Sequence, residues 1–579
     1  YDNCKERIMA ARRETWNSRT AFVLAAIGSA IGLGNIWRFP YVTYENGGGA
    51  FLVAYFVCLF LAGIPLLMLE FSIGHKFHRA APGAFKKITP RLEWFGWFAV
   101  GVGFIIVTYY AIIMAWSVNY TYEAATLGWV QEPGKYAETQ YAITGTDLED
   151  MEVMTDIPVS LIGQSFVSPV SGESDIILPE PVGFREVGTI LVAFEGNLYG
   201  FNSVAEANTF MGSPGDFFFN DFLGVTSEPW DIGEFKWPLF IGFTLAWIWI
   251  VASVWRGTKT VSKVVFYTVL IPWGLLVLFV IRGVTLPGAG VGLKYYLTPV
   301  WSNLMSADIW LAAISQVFFS LSVGFAIMIA YGSFLPEKTN IAANAMIIGI
   351  ADALTAFFGG MAVFSALGHH ATNLGVPVSQ VVESGPGLAF VAYPHIISTL
   401  PAARIFGVLF FIMLLTLAVD SAFSLLEAAT SSVKDKWNTS HRKANLIVGG
   451  AAFLLGLPML TGMGIHILDI ADHFMNSFGL TLVVLGEVLI IGWGTGANKQ
   501  RKYINENSSF NIGLWWNICI RWLIPMGIIW MIYSEIQDRS VPYGSFSIRS
   551  QEFLFGWLLI ILLPIVGDIL ANARGKQIQ

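Results

Sequence analysis

Apolar stretches long enough to cross a lipid bilayer recur about a dozen times along this chain, and nothing else in the sequence constrains its fold as strongly. A helix needs about 20 such residues to span the hydrocarbon, and inside lipid it must satisfy its own backbone polar groups. The stretches lie near 20–45, 48–77, 95–125, 237–255, 262–283, 307–334, 342–368, 402–432, 444–460, 471–496, 514–535 and 552–573. Only 13% of the 579 residues are charged and the mean hydropathy is +0.61, whereas soluble proteins carry about 25% charged residues. The expected fold class is an all-α membrane protein of about 12 transmembrane helices, not a soluble multidomain protein.

Lys and Arg in the short connections set the expected orientation. Arg7, Arg12 and Arg13 precede the first stretch. Arg79, Lys86, Lys87 and Arg91 follow the second, Arg256, Lys259 and Lys263 the fourth, Lys434, Lys436, Arg442 and Lys443 the eighth, and Lys499, Arg501 and Lys502 the tenth. All fall on one side if the spans alternate, which places both termini in the cytoplasm and the chain in the cell membrane. The long connection 126–236 falls on the other side and holds 18 Asp plus Glu against 3 Lys plus Arg. It is expected to form a small cap. The segment 370–400 is apolar but broken by Gly and Pro, and reads as a re-entrant or capping loop.

Two spans are interrupted. The first reads AAIGSAIGLGNIWRFP, with Gly28, Gly32 and Gly34. The sixth reads FFSLSVGFAIMIAYGS, with Ser320, Ser322 and Gly324 in mid-span. They are five spans apart, as two inverted five-helix repeats with broken helices 1 and 6 require; two further helices complete the fold. The expected division is a cytoplasmic segment 1–19, repeats over 20–283 and 284–497, and helices 11 and 12 over 498–579. Unwound backbone at membrane depth is tolerated where it lines a site.

The strings NIWRFPYVTYENGGGAF (Asn35 to Phe51), SGPGLAFVAYP (Ser384 to Pro394) and FFIMLLTLAVDSAFS (Phe410 to Ser424) resemble the neurotransmitter:sodium symporter family. That family includes the bacterial leucine transporter and the animal monoamine, GABA and glycine transporters. The resemblance covers nearly all spans. It implies symport of a small neutral amino acid with sodium by alternating access, using two sodium ions.

One implied sodium site takes the carbonyls of Gly28, Ile31 and Leu417 with the side chains of Asp420 and Ser421. The other takes the Ala30 carbonyl, Asn35, Ser320 and Asp352, where many relatives carry Asn in place of Asp352. Oxygen ligands suit a hard cation, and an acid in an apolar run such as Asp420 is functional by default. The implied substrate site is Ala30, Gly32, Leu33, Gly34, Ile106, Tyr110, Phe319, Ser320, Ser322, Phe325, Ser421 and Leu425. Monoamine members carry Asp at the position of Gly32, so Gly32 points to a substrate that keeps its own carboxylate, held by free amides and the Tyr110 hydroxyl. The implied gates are Arg38 with Asp472 outside and Arg13 with Asp435 inside. Phe334 stands where some relatives have a Tyr that supports the inner gate. Animal relatives bind chloride at a site that here keeps Tyr55, Gln316 and Ser320 but has Ala356 for Ser. Asp352, one turn away, brings the missing negative charge, so chloride is not expected to be required.

Glu70 and Glu487 are further intramembrane acids, expected either to face each other and share a proton or to be satisfied separately by backbone amides. The alternatives carried are a GABA-, betaine- or taurine-like osmolyte as substrate, or a receptor of the same fold that binds without transporting. A membrane enzyme is not expected: no HExxH or phosphate-binding loop is present. Nor does any basic stretch interleaved with aromatics suggest nucleic acid. The expected partners are the small amino acid and membrane lipid.

Overall fold

The computed structural model describes residues 14–129 and 214–575, apart from short gaps at 375–376, 379–380, 382–384, 399, 401 and 538–540, together with five short strands between 141 and 201. The interrupted first span is a bent pair, α1a (Arg19–Ala30) and α1b (Leu33–Glu45), turned by 61°. Ser18 starts α1a, its side chain accepting from the Ala21 N–H, as an N-cap should. Then come α2 (Gly49–Phe77) and α3 (Pro90–Thr126).

The long connection contains β1 (Tyr141–Ile143), β2 (Ser165–Val167), β3 (Ser174–Ile176), β4 (Thr189–Phe194) and β5 (Asn197–Phe201), paired in the order β1-β4-β5-β2-β3. Only β2 and β5 run parallel; the other pairs are antiparallel. Among the described residues the other named elements are helical.

The second part of the bundle is α4 (Trp237–Ser253), α5 (Thr258–Val284), α6a (Ala307–Ser320), α6b (Ile327–Ser333), α7 (Ile341–Leu374), α8 (Ala403–Trp437), α9 (His441–Leu460), α10 (Gly464–Glu506), α11 (Leu514–Gln537) and α12 (Arg549–Asn572). Among the described residues nine helices are long and apolar enough to cross a membrane, and the bent α1 pair makes ten. The two expected spans not in that count are the shorter α4 and the broken α6. The chain is an all-α multi-pass membrane protein. The connection before α8 holds two short helical turns, Leu388–Ala392 and Tyr393–Ser398. Phe390 from this connection packs on Trp37 of α1b, Trp116 and Tyr120 of α3, and Phe218.

Both breaks have local causes. In α1, the hydrogen-bond ladder ends at Ile31, and Asn35 closes the gap by accepting from the Gly32 N–H through its side chain, 3.2 Å. In α6, Ser322 (φ +53°), Gly324 (φ +81°) and Ala326 (φ +61°) adopt left-handed conformations, which side chains other than Gly rarely take. The Gly324 N–H freed by that turn donates to Glu70 Oε1 of α2, 2.6 Å. Glu70 is therefore satisfied in part by backbone. Glu487 of α10 lies within electrostatic reach of Glu70. Both Glu487 oxygens and Glu70 Oε2 lack a hydrogen-bond partner among the described residues.

Candidate functional site

The two breaks meet α3 and α8 around a cavity of about 30 Å³. Of the residues expected at the substrate site, Ala30, Gly32, Gly34, Ile106, Tyr110, Phe319, Ser320, Ser322, Phe325, Ser421 and Leu425 all line it. Leu33 does not. Its N–H instead donates to the Tyr110 hydroxyl, 3.1 Å, so that hydroxyl is fixed as an acceptor on one side while its own hydrogen can donate elsewhere. Ser29 and Ile327 line the cavity too, and neither was expected there.

Glycine at position 32 is a matter of space. A Cβ there would lie 2.8 Å from Ser421 Oγ and 2.9 Å from Tyr110 Oη, inside ordinary contact distance. A side chain at that point would require the Ser421 and Tyr110 hydroxyls to move aside, and glycine brings no carboxylate of its own to the site.

The Ser29 carbonyl, at the end of α1a, accepts from Ser322 Oγ at 2.8 Å and from Ser421 Oγ at 3.1 Å. It ties the α1 break to the α6 break and to α8.

Two buried carboxylates flank the cavity. Asp420 of α8 is 1% exposed and packs against Gly28, where a Cβ would collide with Asp420 Oδ2. Its Oδ1 accepts from Thr268 Oγ1 of α5, 2.5 Å. Thr268 was missed by sequence reasoning; its one signal is a hydroxyl within the apolar run of the fifth span. Ile31 and Leu417 are buried near the α1 break and on α8. Asp352 of α7 is fully buried. It accepts from Asn35 Nδ2 at 2.9 Å, from Ser320 Oγ at 2.8 and 2.9 Å, and from Tyr55 Oη at 3.5 Å. The carboxylate thus sits among Asn35, Ser320 and Tyr55, and Ala356, buried one turn on, leaves no hydroxyl there. A burial cost of this size is sustained only with such compensation.

The expected gates are arranged differently from a simple ion pair. Arg38 Nη1 donates to Gln316 Oε1 at 3.1 Å and Nη2 to Ser315 Oγ at 3.3 Å, and the guanidinium lies 4.8 Å from the Phe319 ring centre. Asp472 accepts from Asn476 Nδ2, 2.9 Å. Arg38 and Asp472 are close enough to interact electrostatically, but they form no direct N···O contact within 4.0 Å. Arg13 lies outside the described residues. Asp435 accepts from the Ala80 N–H, 2.8 Å. On this same end of the bundle Trp16, 6% exposed, donates through Nε1 to the Tyr331 carbonyl at 3.1 Å. Its ring packs edge-on against Phe22, Tyr331 and Phe334. Phe334 thus packs on the Trp16 ring.

Two unwound helices meeting buried carboxylates inside a membrane bundle are the architecture of a secondary transporter. The sequence matches the sodium:neurotransmitter symporter family over residues 13–155 and 197–573, and the chain belongs to that family. It is 34% identical to an uncharacterized sodium-dependent transporter of Methanocaldococcus jannaschii over 97% of this chain and 98% of that one. It is 32% identical to the sodium- and chloride-dependent glycine transporter 2 of Xenopus laevis, over 96% of this chain and 69% of that one. The human sodium- and chloride-dependent neutral and basic amino acid transporter B(0+) is 31% identical over 98% of this chain and 87% of its own length. The protein is a sodium-dependent solute transporter and not an enzyme.

Proposed function

We propose that this chain carries a small neutral amino acid into the cell together with two sodium ions, by alternating access. The observation that carries this reading is the geometry at Gly32. Gly32 supplies no carboxylate and lies against the Tyr110 hydroxyl, so the site presents the α1 break and that hydroxyl, both suited to a substrate carboxylate. Ile106, Phe319, Phe325, Ile327 and Leu425 supply an apolar lining, and the small cavity favours a short side chain. Two relatives, a glycine transporter and a neutral and basic amino acid transporter, support the same substrate class.

Gly28, Ile31, Leu417, Asp420 and Ser421 are assigned to one sodium ion, and Ala30, Asn35, Ser320 and Asp352 to the other. The donors present fit: each set offers one carboxylate, hydroxyl or amide oxygen and unwound backbone, as a hard cation prefers. Each ion neutralises a buried carboxylate when bound. Because Asp352 occupies the position where a second anion would otherwise balance charge, chloride is not required. Arg38 and Asp472 gate the outer path and Arg13 with Asp435 the inner one, Trp16 adding an apolar plug. The basic connections support a plasma-membrane protein with both termini in the cytoplasm.

The test is a thermal-shift screen of the twenty amino acids with and without sodium, followed by uptake of the best ligand into proteoliposomes. A ligand of the folded state raises its apparent stability. A small neutral amino acid should stabilise the protein only with sodium present and accumulate down a sodium gradient. Stabilisation by an amine lacking a carboxylate would overturn the substrate class. Binding without accumulation would show a receptor of this fold.

A further inference from the structure

Outside the transport site, the basic ends of α4 and α5 enclose a groove of about 750 Å³. Arg256, Lys259 and Lys263 line it, together with Trp255, Ile248 and Ala252. Lys259 and Lys263 are four residues apart on α5 and so project from one face. Arg442 of α9 adds a fourth cation at the rim, its guanidinium 5.8 Å from the Trp255 ring centre. No acid lines the groove. The neighbouring Glu14, packed behind Gly257, is already engaged by Lys434 at 3.2 Å. Among the described residues, none of the four cations has an ion-pair partner.

The groove continues into lipid. Ile241, Leu245 and Ile248, respectively 60%, 51% and 60% exposed, stand at positions i, i+4 and i+7 of α4 and form one apolar stripe leading to the cations. A cationic cluster at the end of an exposed apolar stripe matches one ligand chemistry: a phosphate with a hydrocarbon tail.

We infer that this groove binds an anionic phospholipid, its phosphate held by Arg256, Lys259 and Lys263 against Trp255, and its acyl chain lying along Ile248, Leu245 and Ile241. A free phosphate would use the cations but gain nothing from the stripe. The bound lipid would touch more than the membrane surface. Asn17, next to the Trp16 plug, lines the same groove, and Thr258 Oγ1 at the start of α5 donates to the Thr15 carbonyl, 3.5 Å. A lipid seated here therefore bears on the segment that closes the inner path.

The inference is tested by native mass spectrometry of the purified full chain, titrated with phosphatidylglycerol or, separately, phosphatidylcholine, so the readout does not depend on transport. Each basic group near such a headgroup is worth about a fivefold change in affinity. Arg256→Gln/Lys259→Gln/Lys263→Gln should therefore weaken phosphatidylglycerol binding by about a hundredfold. The single change Lys259→Gln, at an exposed position, should weaken it about fivefold and guards against misfolding of the triple variant. The charge-matched Lys338→Gln/Lys499→Gln/Lys502→Gln, at exposed positions elsewhere on the basic side, should change it less than about threefold. Leu245→Ser/Ile248→Ser should also weaken the lipid, and inorganic phosphate in excess should not displace it. Equal losses in the groove triple and the charge-matched triple, unchanged binding in the groove variants, or displacement by phosphate alone would overturn the inference.

Discussion

Tyr110→Phe tests the substrate assignment and separates binding from folding. The Tyr110 hydroxyl accepts from the Leu33 N–H at 3.1 Å within a buried contact. Phe removes that acceptor and leaves a backbone donor buried and unpaired, which costs about 1–3 kcal/mol of stability. It also removes the hydrogen bond proposed to reach the substrate carboxylate. A hydrogen bond to a charged group is worth about 1.5–3 kcal/mol, so amino-acid affinity should fall by about 10- to 150-fold. The two losses read on different axes. The first lowers the melting temperature of the ligand-free protein in sodium. The second appears only in a titration with the amino acid, followed by scintillation proximity or calorimetry at saturating sodium. The amine analogue lacking a carboxylate should bind wild type and variant equally poorly. If Tyr110→Phe keeps its amino-acid affinity within twofold while its melting temperature drops, the hydroxyl serves the α1 break alone and the carboxylate is held elsewhere.

Asp352→Asn should cut sodium-driven uptake at least tenfold, and added chloride should restore part of it; in wild type, replacing chloride by gluconate on both sides of the membrane should leave uptake within about twofold, and a tenfold loss there would refute charge substitution by Asp352. Thr268→Val removes the 2.5 Å hydrogen bond to Asp420 and should weaken sodium activation by about tenfold with little change in substrate affinity at saturating sodium; an unchanged sodium dependence would show that Thr268 does not position the carboxylate. Arg38→Gln strips the links to Gln316, Ser315 and the Phe319 face, and should speed substrate dissociation to the outside, which single-turnover release from proteoliposomes measures. Trp16→Ala removes the packing against Phe22, Tyr331 and Phe334, and should raise labelling of a cysteine introduced at Ser424, which is buried and bonded to Tyr331; labelling no faster than in the parent would refute the plug.

What could be read from the sequence and what could not divides along physical lines. The spans were legible because hydrocarbon demands long apolar helices whatever their neighbours. Asp420 and Asp352 stood out because an acid at membrane depth needs a reason. The α1 break was legible from three glycines in seven residues. The α6 break was harder, since Ser322 and Ala326 take left-handed backbone that their side chains do not advertise; the strain is held by surrounding structure, here the Glu70 carboxylate on Gly324. Thr268, Trp16 and the true partners of Arg38 were not legible because they depend on contacts between residues far apart in the chain, 152 positions for Thr268 with Asp420 and 315 for Trp16 with Tyr331. The extra reach of α10 to Glu506, beyond the apolar stretch ending near 496, has a simpler cause. A helix continues past the hydrocarbon edge as long as its polar residues permit it, and hydropathy marks only the part inside.

The doubly bonded carbonyl of Ser29 has a consequence for the order of events. A carbonyl oxygen has two lone pairs, and here Ser322 and Ser421 occupy both. An incoming ammonium group that docks at this oxygen must evict one of those hydroxyls, and the evicted serine then becomes free to turn toward the ligand or an ion. Occupancy is thereby converted into a choice between two latches: losing the Ser322 bond removes one tie between α6 and α1, while losing the Ser421 bond removes one between α8 and α1. Which serine yields first would decide which of these two ties is loosened when the site fills.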